Sequence, residues 1–341
     1  MTDAAAVLNV AVFGAGSVGC YVGGHLAGVC DVTLVGRAAA METVRERGLT
    51  LTASDADELR VKPGALRTAS DATGVRDADY VLVTVKSAAT REAAEAIRPH
   101  LRDGAVIVSF QNGLRNPGIL REALPGHEVL TGMVPYNVLG VGPGTYHRGV
   151  GGALMLDEGA AGARLAGALR DAGLEAETRA DMREVQYGKL LLNLNNAVNA
   201  LSGLPLREQL AQRAYRRCLA QCQEEALAVF RAAGVEPAHL GPAAPDLIID
   251  VLRLPDDDYR QLAAASLDID ATARSSMWED FQRGRPTEID TLQGEIVALA
   301  AAHGLEAPAN ARMTALVHEA ERAGEPPSWP GPELLAALTQ G

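Results

Sequence analysis

The sequence predicts an α/β nucleotide-binding domain followed by an all-α domain, and three observations predict it. Short β-branched runs alternate with helical stretches through the first half. A glycine cluster follows the first of those runs directly, and near Asp181 the pattern changes to long helical periodicity. Alternation of this kind is the mark of a parallel sheet wrapped by helices. The 341 residues fit two domains of about 100–200 residues each, divided here as 1–180 and 181–341.

Taken in order, Asn9–Phe13 is the first strand, followed by a helix over Val18–Ala27. Val32–Val35, Tyr80–Val85 and Ala105–Phe110 are further strands, with amphipathic stretches such as Arg91–His100 between them. Val129–Met155 is punctuated by glycines and reads as extra strands at the sheet edge, with His147 a strand residue rather than a catalyst. The second half predicts one helix over Glu184–Leu201 and another over Arg207–Ala233, stopped by Gly234 and Pro237. After a connection at Gly241–Pro245, helices are expected over Asp246–Leu254, Leu267–Arg283, Ile289–Ala302 and Ala309–Ala323. Pro326–Pro330 is a loop in which Trp329 packs back on the body.

Hydrophobic residues at 48% and charged residues at 22% exclude a disordered chain. Lys plus Arg total 31 against 43 Asp plus Glu, a formal charge of −12, which argues against a nucleic-acid groove or an anionic membrane surface. An anionic small ligand needs only a few local cations. Apolar stretches are interrupted well before the ~20 residues of a membrane span, and Met1-Thr2-Asp3 carries no basic leader. Cys20, Cys30, Cys218 and Cys222 show neither a disulfide framework nor a metal set and read as buried free thiols. A reduced, cytoplasmic protein without a metal is expected.

Gly14-Ala15-Gly16-Ser17-Val18-Gly19 follows the first strand and opens a helix. Glycines here permit a tight turn, backbone approach to a pyrophosphate and close helix–strand packing, and the helix N-terminus offers amides to the phosphates. In that context the motif predicts a Rossmann-type dinucleotide site. The second strand ends Leu34-Val35-Gly36-Arg37, without the carboxylate that takes a ribose 2′-hydroxyl. Arg37 can instead pair with a 2′-phosphate, so NADP(H) is the expected cofactor; a solvated loop arginine is the alternative. Lys86 and Asn112 follow two other strands at the edge where ligands collect, although Asn112-Gly113 is also a common turn.

The catalytic candidates lie in the second half. Lys189, Asn193 and Asn196 share one helical stripe, at offsets of about 40° and −20° from the lysine, while Asn195 points away. An ammonium beside carboxamides can protonate a carbonyl oxygen while the amides hold a carboxylate or hydroxyl. Asparagines are poor helix formers, so four of them between Asn193 and Asn199 suggest a purpose other than stability; capping of neighbouring loops is the bland reading. Further on, Ser276 is a candidate substrate contact, and Glu288 a candidate near the nicotinamide ribose or the lysine. The alternative makes Glu288 and Asp290 a charged helix start at Thr287 or Pro286. Arg274 and Arg285 could help hold an anionic substrate, although exposed arginines are common and neither is taken as a site residue.

These residues together resemble the ketopantoate reductase (2-dehydropantoate 2-reductase) family over most of the chain. The resemblance is carried by GAGSVG at Gly14–Gly19, VLVTVK ending at Lys86, QNG at Asn112, GKLLLN from Gly188 to Asn193, and SSMWEDFQRGRPTEID from Ser275 to Asp290. It implies NADPH-dependent reduction of ketopantoate to pantoate, in pantothenate and coenzyme A synthesis, in a cleft between the domains. It implies Lys189 as general acid, Asn193 and Ser276 as substrate contacts, and Glu288, Lys86 and Asn112 as cofactor-side or cleft residues. One position departs from the family pattern: a second substrate asparagine commonly lies two turns after the lysine, where this chain has Ala197. Asn196, one residue earlier and on the lysine face, is the candidate substitute. A reductase of another 2-keto or β-hydroxy acid, or a non-catalytic NADP(H) sensor, are the competing functions. A homodimer through the helical domain is compatible with the pattern, although no coiled-coil heptad marks one.

Overall fold

The computed structural model describes residues 7–149, 151–241, 243–264 and 273–339. The chain divides into two compact units, Met1–Met182 and Arg183–Gly341. Met1-Thr2-Asp3, Val150, Pro242 and residues 267–272 of the expected Leu267–Arg283 helix lie outside the described residues.

In the first unit the chain runs β1 (Asn9–Phe13), α1 (Ser17–Leu26), β2 (Asp31–Val35), α2 (Ala38–Arg47), β3 (Leu49–Ala53), β4 (Ala56–Val61), β5 (Arg67–Ala69) and β6 (Tyr80–Val83). It continues through α3 (Thr90–Ile97), β7 (Val106–Ser109), α4 (Asn116–Ala123), β8 (Glu128–Met133), β9 (Val138–Gly142), β10 (Thr145–Arg148), β11 (Leu154–Asp157), α5 (Ala160–Asp171) and β12 (Ala176–Arg179). Eight strands form the main sheet in the order β12-β11-β8-β7-β6-β1-β2-β5, parallel from β8 to β5. Side chains alternate between two buried faces: Val10, Val12, Val32, Leu34 and Leu82 enter one core, and Ala11, Val35, Val81, Val83 and Ile107 enter the other. A strand buried on both faces reads as an uninterrupted apolar run, which is why β1, β6 and β7 are legible in sequence. From β1 the chain winds outward to β2 on one side, and β6 and β7 lie on the other. The direction reverses at β1, the place where ligands bind in open α/β sheets.

The expectation for Val129–Met155 needs correction. Strands β8 and β11 do extend the main sheet, but β9 and β10 join a separate four-stranded sheet, ordered β4-β3-β10-β9. His147 is a strand residue of β10, its Nδ1 2.9 Å from Thr52 Oγ1. Strand β3 reads Leu-Thr-Leu-Thr-Ala, a period-2 signal that could have been found. The Asp-, Glu- and Arg-bearing β4 is mostly exposed and gave no such signal.

The second unit is helical: α6 (Met182–Asn193, its first residue the last of the preceding unit), α7 (Asn195–Ser202), α8 (Leu206–Leu210), α9 (Arg213–Ala232), α10 (Pro245–Arg253), α11 (Asp256–Ala264), α12 (Ser276–Gln282), α13 (Gln293–Ala302), α14 (Pro308–Ala323) and α15 (Gly331–Thr339). The two longest expected helices are each divided. At Leu194 the backbone stays helical, but Gln293 Nε2 donates to the Leu194 carbonyl at 2.8 Å and Gln223 Nε2 to the Leu191 carbonyl at 3.1 Å. Those side chains take acceptors that the next turn would use. The second break follows Leu210, where Gln212 is extended at φ −103 and ψ 118. There the fully buried Arg216 takes the carbonyls of Leu210, Leu252 and Leu254. The expected helix from Ile289 is a 3-10 turn, Ile289–Thr291, followed by α13. The Pro326–Pro330 loop is tied back on the body at Trp329, whose backbone N–H donates to the Leu201 carbonyl at 2.8 Å. No helix among the described residues is long and apolar enough to cross a membrane.

Candidate active site

The candidate residues fall into two groups, one in each unit. In the first, the three motif glycines have three different physical reasons. Gly14 has φ +107, and a Cβ there would come within 2.6 Å of the Val85 nitrogen. Gly19 faces the Gly14 carbonyl and the Thr84 hydroxyl, each 2.7 Å from a notional Cβ, so α1 can lie against β1 only without a side chain. Gly16 differs: its notional Cβ meets nothing nearer than the Gly14 oxygen at 3.8 Å. Protein packing does not demand glycine at that position, whereas a phosphate approaching the backbone would. Gly16 is the N-cap of α1, and no side chain caps the helix. The first-turn amides of Ser17, Val18 and Gly19 thus meet the requirement of a pyrophosphate cradle.

The amides of Gly14 and Ala15 donate to the Val35 carbonyl at 3.0 and 2.9 Å, stitching this loop to the end of β2. Gly36 packs so closely that its Cβ would stand 2.9 Å from that of Ala15. Arg37 follows as the N-cap of α2 and is exposed. No carboxylate pairs with it among the described residues, so its guanidinium is available to an anion beside the loop.

Lys86 and Asn112 are drawn together by a polar network that sequence reasoning missed. Ser87 Oγ donates to the Asn112 carbonyl at 2.8 Å, and the Asn116 amide donates to both Ser87 Oγ and that carbonyl. Thr90 Oγ1 donates to Asn116 Oδ1, and Gln111 Nε2 reaches Thr90 Oγ1 and the Val85 carbonyl. Ser87, Thr90 and Asn116 are buried. The loops after β6 and β7 are therefore one hydrogen-bonded body, with Lys86 exposed at its rim.

In the second unit Lys189 and Asn193 lie one turn apart on α6, with Asn193 buried and Lys189 partly so. Burial pulls the Lys189 ammonium down from 10.5 to about 8. Ser275 N-caps α12, accepting from the Trp278 N–H at 3.2 Å. Its own N–H donates to Asn199 Oδ1 at 2.9 Å and its hydroxyl to the Asn196 carbonyl at 3.1 Å. Those bonds hold Ser276, the first residue of α12, beside Asn196. Asn195 and Asn199 prove to be structural: Asn195 exchanges hydrogen bonds with the buried Gln209, and Asn199 joins Ser275 to the Leu204 carbonyl. The reading that stability does not explain the asparagines is thus corrected for these two. Arg274 is structural as well, donating to the Gly203 carbonyl and stacking on Trp278. Glu288 precedes the 3-10 turn, its carbonyl accepting from Thr291. Ala197 is fully buried.

Two family models match the chain. Ketopantoate reductase PanE/ApbA covers residues 10–161, and ketopantoate reductase PanE/ApbA C terminal covers 181–321. A 2-dehydropantoate 2-reductase of Halobacterium salinarum is 32% identical over 325 residues, 93% of this chain and 100% of that protein. A PanE/ApbA family ketopantoate reductase from Ralstonia eutropha JMP134 superposes with a TM-score of 0.79 at 33% identity, covering 93% of this chain and 99% of the other. A D-mandelate dehydrogenase solved with NADH and anilino(oxo)acetate superposes at 0.78 over 93% and 99% of the two chains, at 20% identity, a likeness of fold alone.

Proposed function

The chain belongs to the ketopantoate reductase family, oxidoreductases acting on a CH–OH group with a pyridine nucleotide, and on that premise we propose that it reduces ketopantoate to pantoate with NADPH. The observation that carries the reading is the Lys189–Asn193 stripe on α6, whose ammonium burial holds at about 8. The bound nicotinamide would supply a hydride to C2 of the keto acid. The reaction then needs one proton on the developing alkoxide, and Lys189 is the donor. An ammonium near 8 is still protonated at neutral pH yet gives up its proton more readily than an ordinary lysine. Asn193, Asn196 and Ser276 orient the carboxylate and hydroxyl of the substrate, and Glu288 acts beside the lysine or the cofactor ribose. Gly14–Gly19 cradle the pyrophosphate, Arg37 takes the 2′-phosphate, and Lys86 and Asn112 hold the cofactor side. The protein works in the cytoplasm, in the synthesis of pantothenate and coenzyme A.

Loss of nicotinamide absorbance, followed with NADPH or NADH and a panel of 2-keto acids, tests the reading. Selective turnover of ketopantoate with NADPH is expected, and tight NADPH binding without turnover of any acid would sink it. Lys189→Ala should lower kcat by about 10²–10⁴-fold while NADPH affinity changes little. The rate of reduction should fall as pH rises past about 8, because the proton donor is lost. One observation favours a second substrate: the buried Ala197 stands where the family commonly carries a substrate asparagine. Preference in the panel for a different branched 2-keto acid would keep the mechanism and change the pathway.

A further inference from the structure

The turn that carries Glu288 is bracketed from both sides by a single helix. On its N-terminal side the Thr287 N–H donates to Glu321 Oε1 at 2.8 Å. On its C-terminal side Asp290 Oδ1 lies 2.9 Å from His318 Nε2. The other ring nitrogen of His318 lies 2.9 Å from Glu321 Oε2. Thr287, Glu321, His318 and Asp290 therefore form a continuous chain of contacts around Glu288, anchored on α14. Inside it, the Thr287 hydroxyl accepts the Ile289 N–H at 3.3 Å.

His318 faces a carboxylate at each ring nitrogen, and only the imidazolium can donate from both. The neutral ring has one N–H, so one nitrogen would turn a lone pair toward a carboxylate. Among the described residues the charges acting on His318 are Asp290 from the turn and Glu321 from its own helix. Helices α7, α9, α13 and α15 also pack on α14 and add no other, while Arg312 and Glu319 pair with each other. The Glu321 hydrogen bond first, and the Asp290 contact with it, raise the imidazole above its ordinary value against the opposing effect of burial.

We propose that His318 and Glu321 are positioning residues that hold Glu288 in its working place, and that this latch is closed only while the His318 ring carries both protons. The proposal rests on the role given to Glu288 above.

The test uses the full chain with NADPH and the keto acid it turns over, comparing wild type, His318→Asn, His318→Arg and Glu288→Gln. Two quantities are read: kcat/KM from about pH 5.5 to 9, and hydrogen exchange of the Thr287–Thr291 amides, compared among variants at the same pH. Wild-type kcat/KM should decline as His318 loses its proton, above the ordinary imidazole value. His318→Asn should be about tenfold slower at the acid end, without that inflection and with the Thr287 amide exchanging faster. His318→Arg offers donors to both carboxylates and does not titrate, so it should restore the acid-end rate and the protection and keep both up to neutral pH. Wild-type profile and protection in His318→Asn would overturn the latch, as would a loss that His318→Arg leaves uncorrected. If Glu288→Gln turns over like wild type while exchange responds as expected, the role of Glu288 fails, and the positioning claim with it. A slow Glu288→Gln beside an unresponsive turn overturns the latch alone.

Discussion

Lys189 illustrates what a proton donor of the proposed kind costs its own fold. Its ammonium titrates near 8 in the folded chain and near 10.5 when unfolded. Between those values the unfolded chain keeps a proton that the folded chain has released, so stability rises with pH across the window; below about 8 the full penalty of burying the charge is present. Lys189→Met should therefore raise unfolding stability at pH 7 by about 1–2 kcal/mol, allowing for partial exposure. The advantage should vanish above about pH 10.5, where both states of the wild-type residue are neutral. Chemical denaturation at pH 7 and at the alkaline end checks it, and greater stability at neutral pH should coincide with lost turnover. Arg37 belongs to the same scale. Exposed and without a carboxylate partner among the described residues, it is expected to act on the cofactor rather than on the fold. Arg37→Asp should lower the NADPH-over-NADH preference about 10–100-fold, the worth of one or two charge-assisted hydrogen bonds, with Tm unchanged. Parallel KM measurements for the two cofactors decide it.

Elements place these residues, and the glycine loop separates two kinds of necessity. Gly14→Ala adds a methyl group at φ +107 against the Val85 backbone and should cost about 2–4 kcal/mol of stability. Gly16→Ala meets only the Gly14 oxygen, at an ordinary contact distance of 3.8 Å; it should fold like wild type and bind NADPH about tenfold or more weakly. Thermal melting with and without NADPH distinguishes them. The same loop was legible because glycine placement is a local demand of backbone and ligand, written in consecutive residues. The helix breaks at Leu194 and after Leu210 were not. They depend on Gln293 and on Arg216, whose partners in space lie 99 and up to 40 residues away in sequence. The network joining Lys86 to Asn112 escaped notice for the same reason, although Asn116-Pro117 at a helix start was a visible cue.

For the molecule as a whole, the four cysteines offer a direct check on packing. All are free and buried, and burial raises the thiols of Cys20 and Cys218 to about 11 and about 12. An alkylating reagent at neutral pH should label almost none of them in the native protein and all four after denaturation, and Tm should not depend on reductant. The sequence by itself determined the fold class, the positions of the buried strands along the chain, the dinucleotide fingerprint and the family, because each rests on short-range pattern or on consecutive motif residues. Only the tertiary structure decided that β9 and β10 leave the main sheet for a second one, that Asn195 and Asn199 serve packing, and that His318 and Glu321 bracket Glu288. Each depends on which distant groups meet. A buried hydrogen-bonding group must find a partner wherever the chain brings one, and a single linear pattern does not say where that is.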